Sequence, residues 1–139
     1  MNDVQYFLWL AQQAFSGLVF AWPLTVATFL LVIVAAGFRF NRRQQAKGRL
    51  AWLIGPVAIP AVILLWGTVF RETGQSGREL TWQVQTIYVL LFAQLLAVGI
   101  ATWCAKNFRF LVFAVSIFVT HYCFWSAFVA AMSVTNDWL

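Results

Sequence analysis

Long apolar runs constrain this chain more than any other feature. Each is long enough to cross a bilayer as a helix, for which about 20 predominantly apolar residues are needed. Hydrophobic residues make up 63% of the 139 residues and charged residues only 9%, too few to cover a soluble domain of this size. The sequence therefore predicts an all-α polytopic membrane protein, a single transmembrane domain folded as a four-helix bundle. The predicted spans are about 17–38, 50–70, 82–105 and 110–134.

A less regular segment precedes the first span. Residues 4–15 are apolar, but polar side chains and a tryptophan recur at helical spacing along one face. This pattern predicts a short N-terminal amphipathic helix in the membrane interface, or the wet outer end of a long first helix. Pro23 removes one backbone hydrogen bond, so we expect it to kink the first span or to start its membrane-crossing part. The polar-face residues are Gln5, Trp9, Gln12, Gln13 and Ser16.

Basic residues concentrate in the loop 39–49, between the first two spans. It holds five of the nine Lys and Arg residues and no acid. Short basic loops stay on the cytoplasmic side of a membrane. With this loop inside, seven cations are cytoplasmic, whereas the outer loop 71–81 carries two, so both termini are predicted on the non-cytoplasmic side, in a bacterial inner membrane. The basic patch consists of Arg39, Arg42, Arg43, Lys47 and Arg49.

The same patch has a second possible role. Its cations could dock an anionic lipid, a nucleotide or an acidic protein on the cytoplasmic side. A nucleic-acid partner is not expected from the net charge of +5, because most of the cations lie beside membrane spans.

Small residues recur along three of the predicted spans, where they allow membrane helices to approach closely. We interpret these seams as contacts within the bundle. They comprise Ala14, Gly17, Ala21, Thr28 and Ala35 on the first helix, Ala93, Ala97, Ala101 and Ala105 on the third, and Ser116, Thr120, Cys123, Ala127 and Ala130 on the fourth.

Three polar residues fall at one depth near the membrane centre. Counted by helical rise from the loops, Thr28, Gln94 and His121 lie about 16–18 Å from the cytoplasmic ends of their helices. A hydrogen bond between Gln94 and His121 is predicted. His121 projects away from the small-residue seam of its helix, so it would face outward and favour a homo-oligomer or a partner subunit.

Pro56 and Pro60 lie one turn apart within the second span. They predict a bent or locally unwound helix, either as a structural kink or as an ion or substrate site of the broken-helix type.

Catalytic chemistry has little support in the sequence. All four acids, Asp3, Glu72, Glu79 and Asp137, lie outside the predicted spans, which argues against paired-carboxylate or metal-dependent catalysis in the bundle. No catalytic residue and no metal site are predicted. His121, the one histidine, could carry a proton, form part of an ion path or ligate haem, although bis-histidine haem would need two copies of the chain.

These observations favour a non-enzymatic membrane subunit that forms an oligomer or anchors a partner. The first alternative is a pore or channel assembled from several copies and gated from the cytoplasm, as in a toxin or defence effector. The second is a redox or lipid-modifying enzyme that uses His121.

Overall fold

The computed structural model describes residues 2–40, 52–71, 81–105 and 109–137, and for residues 38–40 the backbone only. The described residues form five α-helices and no strand, as the all-α prediction requires. The helices are α1 (Asp3–Phe20), α2 (Trp22–Phe40), α3 (Ile54–Val69), α4 (Trp82–Cys104) and α5 (Arg109–Thr135).

Two helices, α4 and α5, are each long and apolar enough to cross a membrane. Their bounds agree closely with the predicted spans 82–105 and 110–134. α1 and α2 pass the same test together as one bent pair, which raises the number of candidate spans to three. α3 has 16 residues, or about 24 Å of helix, and is shorter than the predicted span 50–70. The described residues thus provide two candidate spans, or up to three, and the predicted four-span bundle stays a prediction.

The predicted first helix is broken rather than continuous. α1 ends at Phe20, α2 begins at Trp22, and the two axes meet at 91°. Pro23 explains the break, because it has no N–H to donate to the carbonyl one turn earlier and its ring clashes with that carbonyl. The chain thus bends next to Pro23, as the expected kink requires, and residues 17–20 belong to α1 together with the segment 4–15.

α1 starts with a complete capping box. Asn2 Oδ1 accepts a hydrogen bond from the Gln5 backbone N–H at 2.8 Å, and Gln5 Oε1 accepts one from the Asn2 N–H at 3.3 Å. Asp3 adds a negative charge in the first turn, where the helix dipole favours it.

α5 is the central helix and packs against each of the other four. Its small-residue seam is buried as predicted: Ser116, Cys123 and Ala130 are fully enclosed. Two glycines on neighbouring helices let those helices approach it closely. A Cβ atom at Gly17 of α1 would overlap the Trp125 ring, and one at Gly67 of α3 would lie 2.8 Å from the Ala130 Cβ.

Within the described ranges, three apolar clusters fill the interior between the helices. The largest joins α3, α4 and α5 through Ile63, Ile87 and Ala127, with other buried neighbours. A second joins α1, α3 and α5 around Leu10 and Leu64. The third joins the end of α4 to the start of α5.

Candidate functional site

A polar contact joins α5 to the break between α1 and α2. The Thr25 hydroxyl donates to the Leu18 carbonyl at 2.7 Å, and His121 Nε2 lies 3.2 Å from the same Oγ1 atom. Leu18 belongs to the last turn of α1, whose carbonyls have no partner within the helix. Because Thr25 has a single hydroxyl proton and directs it to Leu18, its lone pairs can accept a hydrogen bond from the N–H of His121 Nε2. His121, Thr25 and Leu18 therefore form a hydrogen-bonded chain from α5 to the broken helix.

The predicted hydrogen bond between Gln94 and His121 is wrong. Gln94 Nε2 instead donates to Thr120 Oγ1 at 3.4 Å, while His121 bonds Thr25. Thr120 and His121 are consecutive in α5 and project about 100° apart, so one reaches α4 and the other reaches α2. Gln94 and His121 do share a level along α5, but they lie on different sides of it.

Thr28, the third residue of the predicted polar layer, is buried in α2 and bonds its own helix. Its hydroxyl donates to the Leu24 carbonyl at 3.0 Å, with the Thr25 carbonyl at the same distance. It therefore supplies no side-chain hydrogen bond to Gln94 or His121. In place of one connected layer there are two contacts, Gln94 with Thr120 and His121 with Thr25.

The outward orientation expected for His121 also needs correction. The small-residue seam of α5 does face the interior, but His121 contacts Thr25 of α2 in the same chain. His121 is only partly exposed, and it needs no second chain to supply its hydrogen-bond partner. The argument for an oligomer from an outward-facing His121 therefore falls.

The chemistry open to His121 is limited by this contact. Haem and metal ions bind a histidine through a ring nitrogen, and His121 Nε2 is already within hydrogen-bond distance of Thr25. Across the described ranges, no three His, Cys, Asp or Glu side chains are grouped so that they could hold a metal ion. The contact that the structure shows at His121 is a helix-to-helix hydrogen bond through Nε2.

A second polar network, which the sequence reasoning missed, joins three helices near the Thr135 end of α5. The Ser133 hydroxyl donates to the Gly67 carbonyl at 2.8 Å, so the Tyr6 hydroxyl donates to Ser133 Oγ at 2.8 Å. Arg71 lies over the Tyr6 ring at 5.3 Å from its centroid and pairs with Asp3 at 3.6 Å. Tyr6 carried no signal beyond its place in the amphipathic segment, and Ser133 is a common helix-packing residue.

An apolar groove of about 370 Å³ lies between α1, α3 and α5. Its lining includes Phe7 and Leu18 of α1, Pro60 of α3 and Tyr122 of α5. The volume falls in the range of small-molecule sites, but such sites usually add a few polar groups that orient the ligand. This lining is almost wholly apolar.

The predicted kink residues both lie in α3 and both are buried. Pro56 is in the first turn, where a missing N–H removes no helical hydrogen bond, whereas Pro60 lies in the helix interior. The helix α3 continues through both positions. The bend that the two prolines predict within it stays a prediction.

The basic patch falls mostly beyond the described part of the chain. The backbone of Arg39 belongs to the last turn of α2. Arg42, Arg43, Lys47 and Arg49 lie outside the described residues, so their predicted docking role stays a prediction.

Comparison of this chain with family models, with curated proteins and with solved structures finds no match.

Proposed function

We propose that this protein is a small non-enzymatic membrane subunit that forms an oligomer or anchors a partner through the exposed face of α4. The observation that carries the proposal is Gly99, which points outward from the middle of an apolar helix face. A Cβ atom at this position would meet nothing within 4 Å. Small residues mark the places where membrane helices approach one another closely.

The face around Gly99 extends along nearly the whole of α4. Only 17% of the most apolar window of this helix is buried within the chain. Phe92 and Leu96 lie on one side of Gly99 and Trp103 on the other, and each is more than half exposed. A glycine between large side chains forms a notch that a ridge of a neighbouring helix could fill.

The proposed arrangement in the membrane has four spans. The bent pair α1 and α2 forms one, and α3, α4 and α5 form the others. About 24 Å of helix in α3 falls short of a hydrocarbon core about 30 Å thick, so the bilayer thins locally or a partner covers the difference. The excess of cations in 39–49 supports an orientation with both termini outside a bacterial inner membrane.

Two differently tagged copies expressed together test the proposed association. After solubilisation in a mild detergent, one tag should recover the other copy, or a membrane partner in fixed ratio. Gly99→Leu fills the notch and should abolish this recovery. Gly37→Leu is the matched control, because Gly37 also meets nothing within 4 Å but lies on α2. A monodisperse monomer without a partner, or equal recovery with both variants, would contradict the proposal.

The proposed orientation has its own test. Neutralising Arg42, Arg43 and Lys47 together should invert part of the population, as followed by labelling of cysteines introduced near each terminus from one side of the membrane. If the orientation persists while the association is lost, the basic patch docks an anionic partner. If both persist, the patch is neither the orientation signal nor a docking site.

A pore assembled from several copies is the less favoured alternative. Gln94 and His121 bond to neighbouring helices of their own chain, and the exposed face of α4 that would meet another copy is apolar. A water-filled pore needs polar groups along its wall. Ion flux through liposomes that contain the protein would nevertheless establish this function directly.

A further inference from the structure

Two of the buried oxygen atoms without a hydrogen-bond partner among the described residues lie on α4 and α5. They are Oε1 of Gln94 and Oγ of Ser116, and both residues are 0% exposed. The other end of the Gln94 amide is held weakly, because its contact with Thr120 Oγ1 is 3.4 Å long.

These polar groups lie on one strip of the α4–α5 contact. Ser116 and Thr120 are four residues apart in α5, so they share a face and are separated by about 6 Å along the axis. Gln94 of α4 reaches Thr120 from the opposite helix. By helical spacing, Ser116 thus lies on the face of α5 that Gln94 contacts, one turn from Thr120.

Groups in this position need a partner. An unsatisfied polar atom in a protein interior is costly, and a membrane supplies no bulk water to reduce that cost. Turning the Gln94 amide by 180° exchanges its oxygen and nitrogen but leaves one of the two without a partner. A second protein chain cannot supply the bond, because both residues are fully enclosed within this chain.

We propose that Gln94, Ser116 and Thr120 hold an internal water molecule. It donates to Gln94 Oε1 and exchanges a second hydrogen bond with Ser116 Oγ, with Thr120 Oγ1 as a third neighbour. Buried waters in proteins typically make two to four such bonds. This water fixes the position of α4 along α5 at the level where His121 bonds Thr25 on the other side.

Water fits this site better than a cation. The acids within the described ranges are Asp3 and Asp137, and both lie near the Thr135 end of α5. Asp137 is 17 residues beyond Thr120, about 25 Å by helical rise. A cation enclosed at this depth would lack a compensating charge, whereas water needs none.

The proposal is tested by thermal unfolding of Ser116→Ala, of the volume-conserving Gln94→Met and of the double variant, all in one detergent. If one water serves both groups, each single variant lowers the Tm, and the double variant lowers it by clearly less than the sum of the two shifts. Ser126→Ala is the control for loss of a buried hydroxyl, because Ser126 bonds the Tyr122 carbonyl within its own helix. A dry, unpaired hydroxyl gives the opposite result: Ser116→Ala then raises the Tm, and the proposal is overturned. Additive shifts overturn it as well.

Solid-state NMR of the unsubstituted protein in bilayers provides a test that does not depend on folding of the variants. Magnetisation transferred from water should reach the side-chain amide protons of Gln94, even though the residue is fully buried. Gln5, which is exposed at the start of α1, is the positive control. Transfer to Gln5 without transfer to Gln94 would overturn the water site.

Discussion

His121 Nε2 lies 3.2 Å from Thr25 Oγ1, and through that hydroxyl the central helix α5 is joined to the carbonyl end of α1. This contact satisfies a backbone carbonyl that the helix break at Pro23 leaves without a partner in its own helix. Breaking the first span at Ala21 frees carbonyls in the last turn of α1 within an apolar environment, and the Thr25 hydroxyl satisfies one of them. His121 in turn holds Thr25 in place.

Thr25→Val should destabilise the bundle by about 1–3 kcal/mol, because it leaves the Leu18 carbonyl and His121 without this partner. Thermal or denaturant unfolding in one detergent measures the loss. Thr86→Val is the matched control and should change stability by less than about 0.5 kcal/mol, because the Thr86 hydroxyl bonds the Trp82 carbonyl of its own exposed helix turn.

The pairing itself is checked with a double-mutant cycle. His121→Phe combined with Thr25→Val should cost less than the two single changes added together, since both remove one shared bond. Strict additivity would show that Thr25 acts only on α1.

The two close glycine contacts make a second prediction. Gly17→Ala places a methyl group against the rigid Trp125 ring, and Gly67→Ala places one against the backbone of Ala130. Overpacking of this kind costs about 1–3 kcal/mol. Gly37→Ala, in open space, should be neutral or stabilising, because alanine is the better helix former by about 1 kcal/mol. Equal changes in stability at all three positions would mean that helix propensity, and not packing against α5, determines the effect of these substitutions.

The third prediction concerns the hydrogen bond of the Tyr6 hydroxyl. Tyr6→Phe removes the bond to Ser133 but leaves the bond from Ser133 to the Gly67 carbonyl, so the loss should be about 1 kcal/mol or less. Tyr88→Phe is the control, because Tyr88 is exposed on α4. A loss at Tyr6 no larger than that at Tyr88 would show that α1 is held by its apolar contacts alone.

Sequence reasoning predicted α4 and α5 to within about one residue because both are uninterrupted apolar runs with polar residues at each end. The small-residue seam of α5 is also visible in the local sequence, so the burial of Ser116, Cys123 and Ala130 could be predicted. The start of a helix near Pro23 was readable for the same reason, since proline acts on its own turn.

The sequence pattern did not predict the angle between α1 and α2 or the hydrogen-bond partners of the polar residues. A linear pattern places Pro23 but does not say how far α1 turns, and that turn brings Thr25 against His121. Helical rise placed Gln94 and His121 at one level, and Gln94 does contact the neighbouring Thr120, but a shared level leaves the direction around the helix axis open. Consecutive residues of a helix are rotated by about 100°, and this rotation is enough to make Thr120, instead of His121, the hydrogen-bond partner of Gln94.

Trp66 makes the last prediction, because it closes the α3–α4 connection. Its indole N–H donates to the Gln83 carbonyl at 3.1 Å, and its ring packs at 4.3 Å from Phe70 and 5.8 Å from Trp82 between centroids. Trp66→Phe should cost about 1 kcal/mol, since a ring remains and one hydrogen bond is lost. Trp66→Ala should cost about 3–5 kcal/mol, because the aromatic contacts go as well. Trp103→Phe, at a site 76% exposed, is the control and should have little effect. If both Trp66 variants unfold at the temperature of the unsubstituted protein, this aromatic cluster does not hold α3 against α4.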